Sequence, residues 1–177
     1  MLQSAEIVRH PERIVASLER VSAGYAALEL VRELTADHES ADDVFDLALE
    51  LIEALDEGSA APDALLVCFE ARLLALSGFA PLLDACGHCG KRAQPSQRAR
   101  FDAVHGHLVC AGCGGGAIGR DVLSGAARTA LMHASGGPFI EAAVMIEVAD
   151  LASARYAMRT LTEHRIGREL AADALLS

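Results

Sequence analysis

Cys86-Gly87-His88-Cys89-Gly90 and Cys110-Ala111-Gly112-Cys113-Gly114 are the two stretches that decide how this chain folds. Each is a Cys-x-x-Cys pair followed by glycine, and twenty residues separate Cys89 from Cys110. Four thiolates in two close pairs are the donor set of a tetrahedral zinc ion. A small residue after each pair lets backbone N–H groups turn toward the sulfurs and offset thiolate charge. Four sulfurs close the coordination sphere, so the expected metal is structural and not catalytic. The assigned ligands are Cys86, Cys89, Cys110 and Cys113. Two disulfides would require an oxidising compartment, and a redox pair would sit singly beside a βαβ unit. His88, His105 and His107 lie near enough to stand in for one cysteine, but four cysteines already complete the set. The fifth, Cys68, sits in Leu65-Leu66-Val67-Cys68-Phe69 and reads as a small buried hydrophobe.

The rest of the sequence calls for helices. Of 177 residues 52% are hydrophobic and 4% aromatic, with no tryptophan; alanine and leucine dominate, a composition suited to packed helices. The length suits one domain, with room for a small insert. No apolar run reaches a membrane span, and Met1–Glu6 lacks the basic and apolar regions of a signal peptide. The expected setting is therefore a reducing cytoplasm, with no membrane partner. Charge is unevenly distributed. Residues 1–63 hold 15 acidic and 4 basic side chains, whereas residues 64–120 hold 3 and 6. The acidic first third argues against wrapping nucleic acid there. Lys91, Arg92, Arg98 and Arg100 form a small basic patch, readable as solvated loop charge or as a contact with a partner or nucleic acid.

Along the chain, Ala5–Val8 could be a lone strand. Pro11 then opens a helix whose expected face is Ile14, Val15, Leu18, Val21, Tyr25, Leu28 and Val31. Ser40 is positioned to cap a second helix, with Val44, Phe45, Leu47, Ala48, Leu51, Ile52 and Leu55 as its stripe and Gly58 as its stop. Pro62-Asp63 open a third, apolar nearly all round and ending at Ser77-Gly78, hence central. Arg98–Val104 and His107–Cys110 read as two strands around His105-Gly106. Helix resumes from Ser124 to His133 and breaks at Gly136-Gly137-Pro138. A last amphipathic stretch has Val144, Val148, Leu151, Tyr156, Met158 and Leu161 as expected core. His164, Arg165 and Arg168 gather near its end, where they complement the helix dipole or form a binding edge for phosphate or carboxylate. The fold class is mainly α: a helical bundle over residues 10–84 and 118–177, with a four-cysteine zinc ribbon, a short β-hairpin, inserted at 85–117.

Phe69-Glu70-Ala71-Arg72-Leu73-Leu74-Ala75-Leu76-Ser77-Gly78-Phe79-Ala80-Pro81, followed by Leu83-Asp84 and the first cysteine pair, resembles the C-terminal region of the RecO family of bacterial recombination mediators. The second knuckle, Leu123–His133, Leu161–Leu170 and Tyr25–Leu34 extend the likeness over nearly the whole chain. The resemblance implies a role in DNA repair and recombination without covalent chemistry. Family members anneal single strands and act with RecR to help load RecA onto single-stranded DNA coated by SSB, the single-stranded-DNA-binding protein. It also implies zinc at Cys86, Cys89, Cys110 and Cys113, a nucleoid-associated location, and a helical-domain site for the acidic, apolar SSB tail. Arg72, Arg155, Arg159 and Arg168 are the cations that could receive the tail carboxylate.

Two departures stand out. The family begins with an OB-fold domain, of which residues 1–9 read as a remnant strand, and it carries a Lys-Ser pair where this chain has Glu169-Leu170-Ala171-Ala172. Two other readings remain at this point. One is a zinc-stapled protein-interaction scaffold without DNA binding. The other is an enzyme with a zinc-ribbon lid, against which stands the lack of G-x-x-x-x-G-K-S/T, since no lysine follows Gly114-Gly115-Gly116.

Overall fold

A computed structural model describes residues 11–35, 41–114, 116 and 118–171. The expected strand at Ala5–Val8 and the Ser40 cap lie outside these residues. Among the described residues the chain forms seven α-helices and one four-stranded sheet. The fold class read from the sequence, helices with a small cysteine-bearing β unit, is the one observed.

The centre is α4 (Pro62–Leu76). Pro62 starts it at the position where a missing N–H costs nothing, and Gly78, at φ +82°, follows its end. Residues 64–71 are buried without interruption, as are Leu73 and Leu74. Helices α2 (Leu18–Leu34), α3 (Ala41–Glu57), α5 (Gly125–Gly136), α6 (Phe139–Met145) and α7 (Val148–Ile166) all pack against it. Truncating Leu73 or Leu74 to alanine would cost about 3 kcal/mol each by the usual core rule. Phe69 meets Phe139 edge-to-face at 6.1 Å, joining α4 to α6. Cys68 is fully buried, as expected, and burial pushes its thiol up to about 12.

Two stretches depart from their expected faces. The helix expected from Pro11 is broken into α1 (Glu12–Val15) and α2, because Ser17 is extended and its Oγ accepts the Arg20 N–H. Within α2 the packed face is Ser22, Ala23, Gly24, Ala26, Ala27, Leu30 and Leu34. Of the expected stripe, Val15, Leu18, Tyr25 and Leu28 are exposed. Small residues let α2 approach α4 and α3 closely; a methyl built on Gly24 would already touch Ile52. The same substitution of small for large recurs later. Ala142, Ala143, Ala154 and Ala157 are buried whereas Val144, Val148 and Tyr156 face solvent. Met158 and Leu161 are buried as expected. On α3, Val44, Leu47, Leu51 and Leu55 are buried, but Phe45 is exposed.

The sheet has strand order β1-β3-β2-β4, with β1 Leu82–Cys86, β2 Ala99–Asp102, β3 His107–Val109 and β4 Val122–Leu123. The expected hairpin is β2–β3, in register Arg100 to Val109, Phe101 to Leu108 and Asp102 to His107. Its turn is held by Asp102 Oδ1, which accepts from the N–H groups of Val104 and His105, and by Gly106 at φ +75°. Outer strands β1, parallel to β3, and β4, antiparallel to β2, are additions to the sequence reading. Leu83, Phe101, Leu108 and Leu123 belong to the same buried cluster as the helices. The sheet is thus seated on the bundle and carries the cysteines at its far edge.

Candidate metal centre

The two knuckles are built by backbone turns at the ends of strands. Cys86 closes β1, and its carbonyl accepts the Gly90 N–H at 2.8 Å, with Gly90 at φ +71°. Cys110 follows β3, and a short 3₁₀ turn, Ala111–Cys113, returns the chain to the metal side. Gly114 ends that turn at φ +95°. A side chain at either glycine would be strained, which explains why glycine follows each pair. The pairing of β1 with β3, including the Gly87 N–H donated to the Leu108 carbonyl at 2.9 Å, brings the two knuckles together.

The sulfurs of Cys86, Cys89, Cys110 and Cys113 all lie within 4.8 Å of one another. Cys89 Sγ is 3.7 Å from Cys110 Sγ. A tetrahedron with metal–sulfur bonds near 2.3 Å has edges of about 3.8 Å, so the donor set fits an ion of that kind. Cys86 is buried, Cys110 half-buried, and Cys89 and Cys113 exposed. No disulfide links them.

The electrostatics of the cluster favour a cation. The Cys110 N–H donates to Cys86 Sγ at 3.4 Å. That bond, with further backbone donors from Cys89 and His88, holds the Cys86 thiol down to about 6, against the opposing effect of burial. Cys113 is pushed up to about 12 by the neighbouring sulfurs of Cys89 and Cys110. The Cys86 thiol is thus favoured toward the thiolate and the Cys113 thiol toward the protonated form. Four cysteines so arranged can hold a metal ion and leave no open coordination position for chemistry.

The remaining residues named from the sequence fall in three places. Lys91, Arg92, Arg98 and Arg100 come together around a cavity of about 120 Å³ that Cys86 and Cys110 also line. Arg100 donates to Asp121 at 2.5 Å. The four candidate arginines separate. Arg72 does not pair with Glu70 but donates to the Ser135 carbonyl at 2.8 Å, fixing α4 to α5. Arg168 pairs with Glu33, drawing the chain after α7 across α2 and holding the Glu33 carboxyl below its ordinary range. Arg155 and Arg159 lie one turn apart on α7 and line an open cleft with Val148, Leu151, Ala152 and Tyr156. Arg155 is 3.6 Å from Asp63, and Arg159 donates to Glu163 at 2.9 Å. His88, His105 and His107 are not part of the four-sulfur group but stand beside it as a row of rings. His164 and Arg165 lie in the last turn of α7, which Gly167 ends at φ +73°.

Two buried polar residues had no sequence signal. Thr162 donates to Glu70 at 2.6 Å across the α4–α7 contact. Arg128, on α5, donates to four backbone carbonyls of the ribbon side, those of Leu83, Gln94, Pro95 and Gln97. Their partners lie 31 to 92 residues away in sequence, beyond the reach of any local motif.

Comparison with known proteins agrees with this construction. Residues 15–173 match the family model described as recombination protein O C terminal. A protein of Anaeromyxobacter sp. (strain K) named DNA repair protein RecO is 38% identical over 178 residues, covering 99% of this chain and 68% of that protein. The protein of the same name from Myxococcus xanthus is 41% identical over 97 residues, 55% of this chain and 38% of its own length. That from Geobacter sulfurreducens is 37% identical over 113 residues, 64% of this chain and 46% of its own. A family match that runs from the end of α1 to beyond α7 takes in both the helical core and the four cysteines, and the chain belongs to the RecO family, carrying its C-terminal region.

Proposed function

We propose that this chain is the working C-terminal part of a RecO-type recombination mediator, in which zinc is the metal held by Cys86, Cys89, Cys110 and Cys113. In this reading residues 10–84 and 118–177 form the helical domain, and residues 85–117 form its zinc ribbon. It acts with RecR to help load RecA onto SSB-coated single-stranded DNA and to anneal strands, by binding and not by catalysis. The DNA repair role rests on the family match. The observation that carries the reading is the family match over residues 15–173 together with a four-thiol cluster at tetrahedral spacing.

The SSB tail is assigned to the cleft on α7. An acidic, apolar peptide needs an apolar surface with a cation for its carboxylate. Val148, Leu151 and Tyr156 supply the surface, and Arg155 and Arg159 supply the charge. Val144 and Met145, both exposed on α6, precede Val148 by a few residues. Arg72 and Arg168 are left out of this assignment because neither lines that cleft.

The test is functional replacement. In bacteria lacking their own RecO and expressing the Anaeromyxobacter protein, the matching segment is exchanged for this chain. Restored survival after ultraviolet damage is the expected result. Full sensitivity, with the hybrid accumulating to normal level, would overturn the proposal.

A further inference from the structure

Three cations of the ribbon are uncommitted. Among the described residues, the side chains of Lys91, Arg92 and Arg98 make no hydrogen bond and no ion pair. That is notable in a chain with 25 acidic and 15 basic side chains. Arg32, Arg100 and Arg168, by contrast, each hold a carboxylate. The three gather round one cavity of about 120 Å³, with Arg100 as a fourth cation on its wall and no carboxylate among the lining residues.

Their backbone is held in place. Lys91 and Arg92 run beside the end of β1: the Lys91 carbonyl accepts the Cys86 N–H at 2.9 Å, Arg92 bridges to Ala85, and the Ala93 N–H donates to the Asp84 carbonyl at 2.8 Å. Arg98 leads into β2, where Phe101 turns to the core and Arg100, beside it, turns away. The loop between these two arms is clamped by Arg128, which donates to the carbonyls of Gln94, Pro95 and Gln97. The cations are thus brought together before any ligand arrives, and a ligand need not supply that ordering.

Charge and lining select the ligand. Four thiolates around a divalent ion keep a net negative charge, and Cys86 and Cys110 line the same cavity, so part of the positive charge answers the metal centre. The cations nevertheless stand exposed at the rim, where they meet solvent. An acidic peptide needs an apolar surface beside the cation, but here Leu108 and Val109 are buried on the floor. No aromatic side chain lines the cavity, so nothing there stacks on a base. What remains is a set of donors for phosphate oxygens, arginine as a fork and lysine as a point charge. Asp42, Asp43, Asp46 and Glu50, all exposed on α3, keep a polyanion away from that side of the molecule.

We propose that Lys91, Arg92 and Arg98, with Arg100 beside them, form a phosphate-backbone site for single-stranded nucleic acid that has no base preference. The site rests on the reading of this chain as a RecO-type handler of single strands, and it places the strand on the ribbon, apart from the α7 cleft assigned to the SSB tail.

The experiment follows the fluorescence anisotropy of labelled oligothymidine titrated with zinc-loaded full chain at several salt concentrations. Binding should weaken with salt at a log–log slope of about −2, the value for about three phosphates neutralised on a single strand. A mixed-sequence strand of the same length should bind within about twofold of it. Lys91→Ala, Arg92→Ala and Arg98→Ala made together should weaken binding at least tenfold and flatten the salt dependence, whereas Arg32→Ala on α2 should change nothing. Arg92→Lys with Arg98→Lys, which keeps the charge, should retain most of the binding. Zinc content and helical circular dichroism on the same samples report whether each variant is folded. The SSB tail peptide should bind the triple variant as it binds the unaltered chain, so failure of the strand site and failure of the mediator reading are told apart. Four results would overturn the proposal: no strand binding by the folded, zinc-bearing chain; binding that the triple variant leaves unchanged; zinc lost from the triple variant, which would make the cations counter-ions of the sulfurs; or polyglutamate displacing the strand as well as unlabelled oligothymidine does, which would mark a site for an acidic protein.

Discussion

Arg128 Nη1 donates to the Leu83 carbonyl at 3.0 Å, tying the first turn of α5 to the strand that delivers Cys86. The other terminal nitrogen, Nη2, reaches the carbonyls of Gln94 at 2.6 Å and Gln97 at 2.8 Å, so one guanidinium holds both ends of the first knuckle region. Arg128 is almost wholly buried, and that burial lowers its pKa. The planar, forked donor set is what permits three directions at once. Gly125, one turn earlier, lets the Pro95-Ser96 backbone lie against α5; a Cβ there would overlap the Pro95 carbonyl. The ribbon is thus joined to the bundle by backbone recognition as well as by shared core.

Arg128→Met should therefore destabilise the chain by about 3 kcal/mol, since the buried bond to the Leu83 carbonyl and the part-buried bonds to Gln94, Pro95 and Gln97 are lost together. Arg128→Lys should recover little, because an ammonium cannot span the fork. Urea unfolding midpoints check this. A midpoint unchanged in both variants would mean the clamp is dispensable.

Glu70 makes stability pH-dependent. Its carboxyl is buried between α4 and α7, and burial pushes it up to about 7, against the lowering effect of the Thr162 hydrogen bond and of Arg159 and Arg155. A raised folded pKa means the folded state holds its proton more tightly than the unfolded chain, whose value is 4.5. Stability from this group is then fully present below 4.5 and is lost as pH rises toward 7, by roughly 3 kcal/mol in all. Glu70→Gln should abolish that slope and match or exceed the unaltered chain at pH 8. Unfolding midpoints of the two proteins between pH 4.5 and 8 provide the measurement. Parallel profiles would refute the assignment.

The cysteine cluster predicts coupled loss of metal and ribbon order. Cys86→Ser or Cys110→Ser should lose the ion, while the helices keep their fold through α4 and its neighbours. Metal content and helical circular dichroism on the same samples decide the matter. Full metal retention in both variants would contradict the four-sulfur assignment.

Proton release is a separate consequence of the same cluster. Cys113 keeps its proton up to about 12 in the company of Cys89 and Cys110, so a metal must displace that proton at neutral pH. Zinc added to metal-free chain in weak buffer should acidify the solution, and affinity should fall as pH is lowered. A titration with no pH change would count against thiolate ligation by Cys113.

Much of this architecture is legible in the residues. Pro62 and Ser77-Gly78 bound α4, and the uninterrupted apolar run between them says that it is central. His105-Gly106 marks the hairpin turn, and the two Cys-x-x-Cys-Gly units mark the metal site. The face of α2 and part of that of α7 are not legible from side-chain size, although Met158 and Leu161 are buried as read. Ser22, Ala23, Gly24, Ala26 and Ala27 form an equally periodic stripe, and close helix packing chose that one over Leu18, Tyr25 and Leu28. Strand β4 is two residues long, and β1 ends in Asp84-Ala85-Cys86, so neither has an alternating pattern to read. β1 pairs with β3, which brings the knuckles together, and β4 pairs with β2, so both contacts are long-range. Arg128 and Glu70 act on partners far away in sequence, one of them through backbone carbonyls that carry no residue identity.

The most direct measurement for the central claim is binding of a fluorescent peptide with the acidic, apolar sequence of an SSB tail to the zinc-loaded chain, at low and moderate salt. The expected result is saturable binding that salt weakens, that intact SSB competes away, and that Arg155→Glu with Arg159→Glu removes while Arg168→Glu leaves it in place. Absence of binding by folded, metal-bearing chain, or binding indifferent to Arg155 and Arg159, would contradict it.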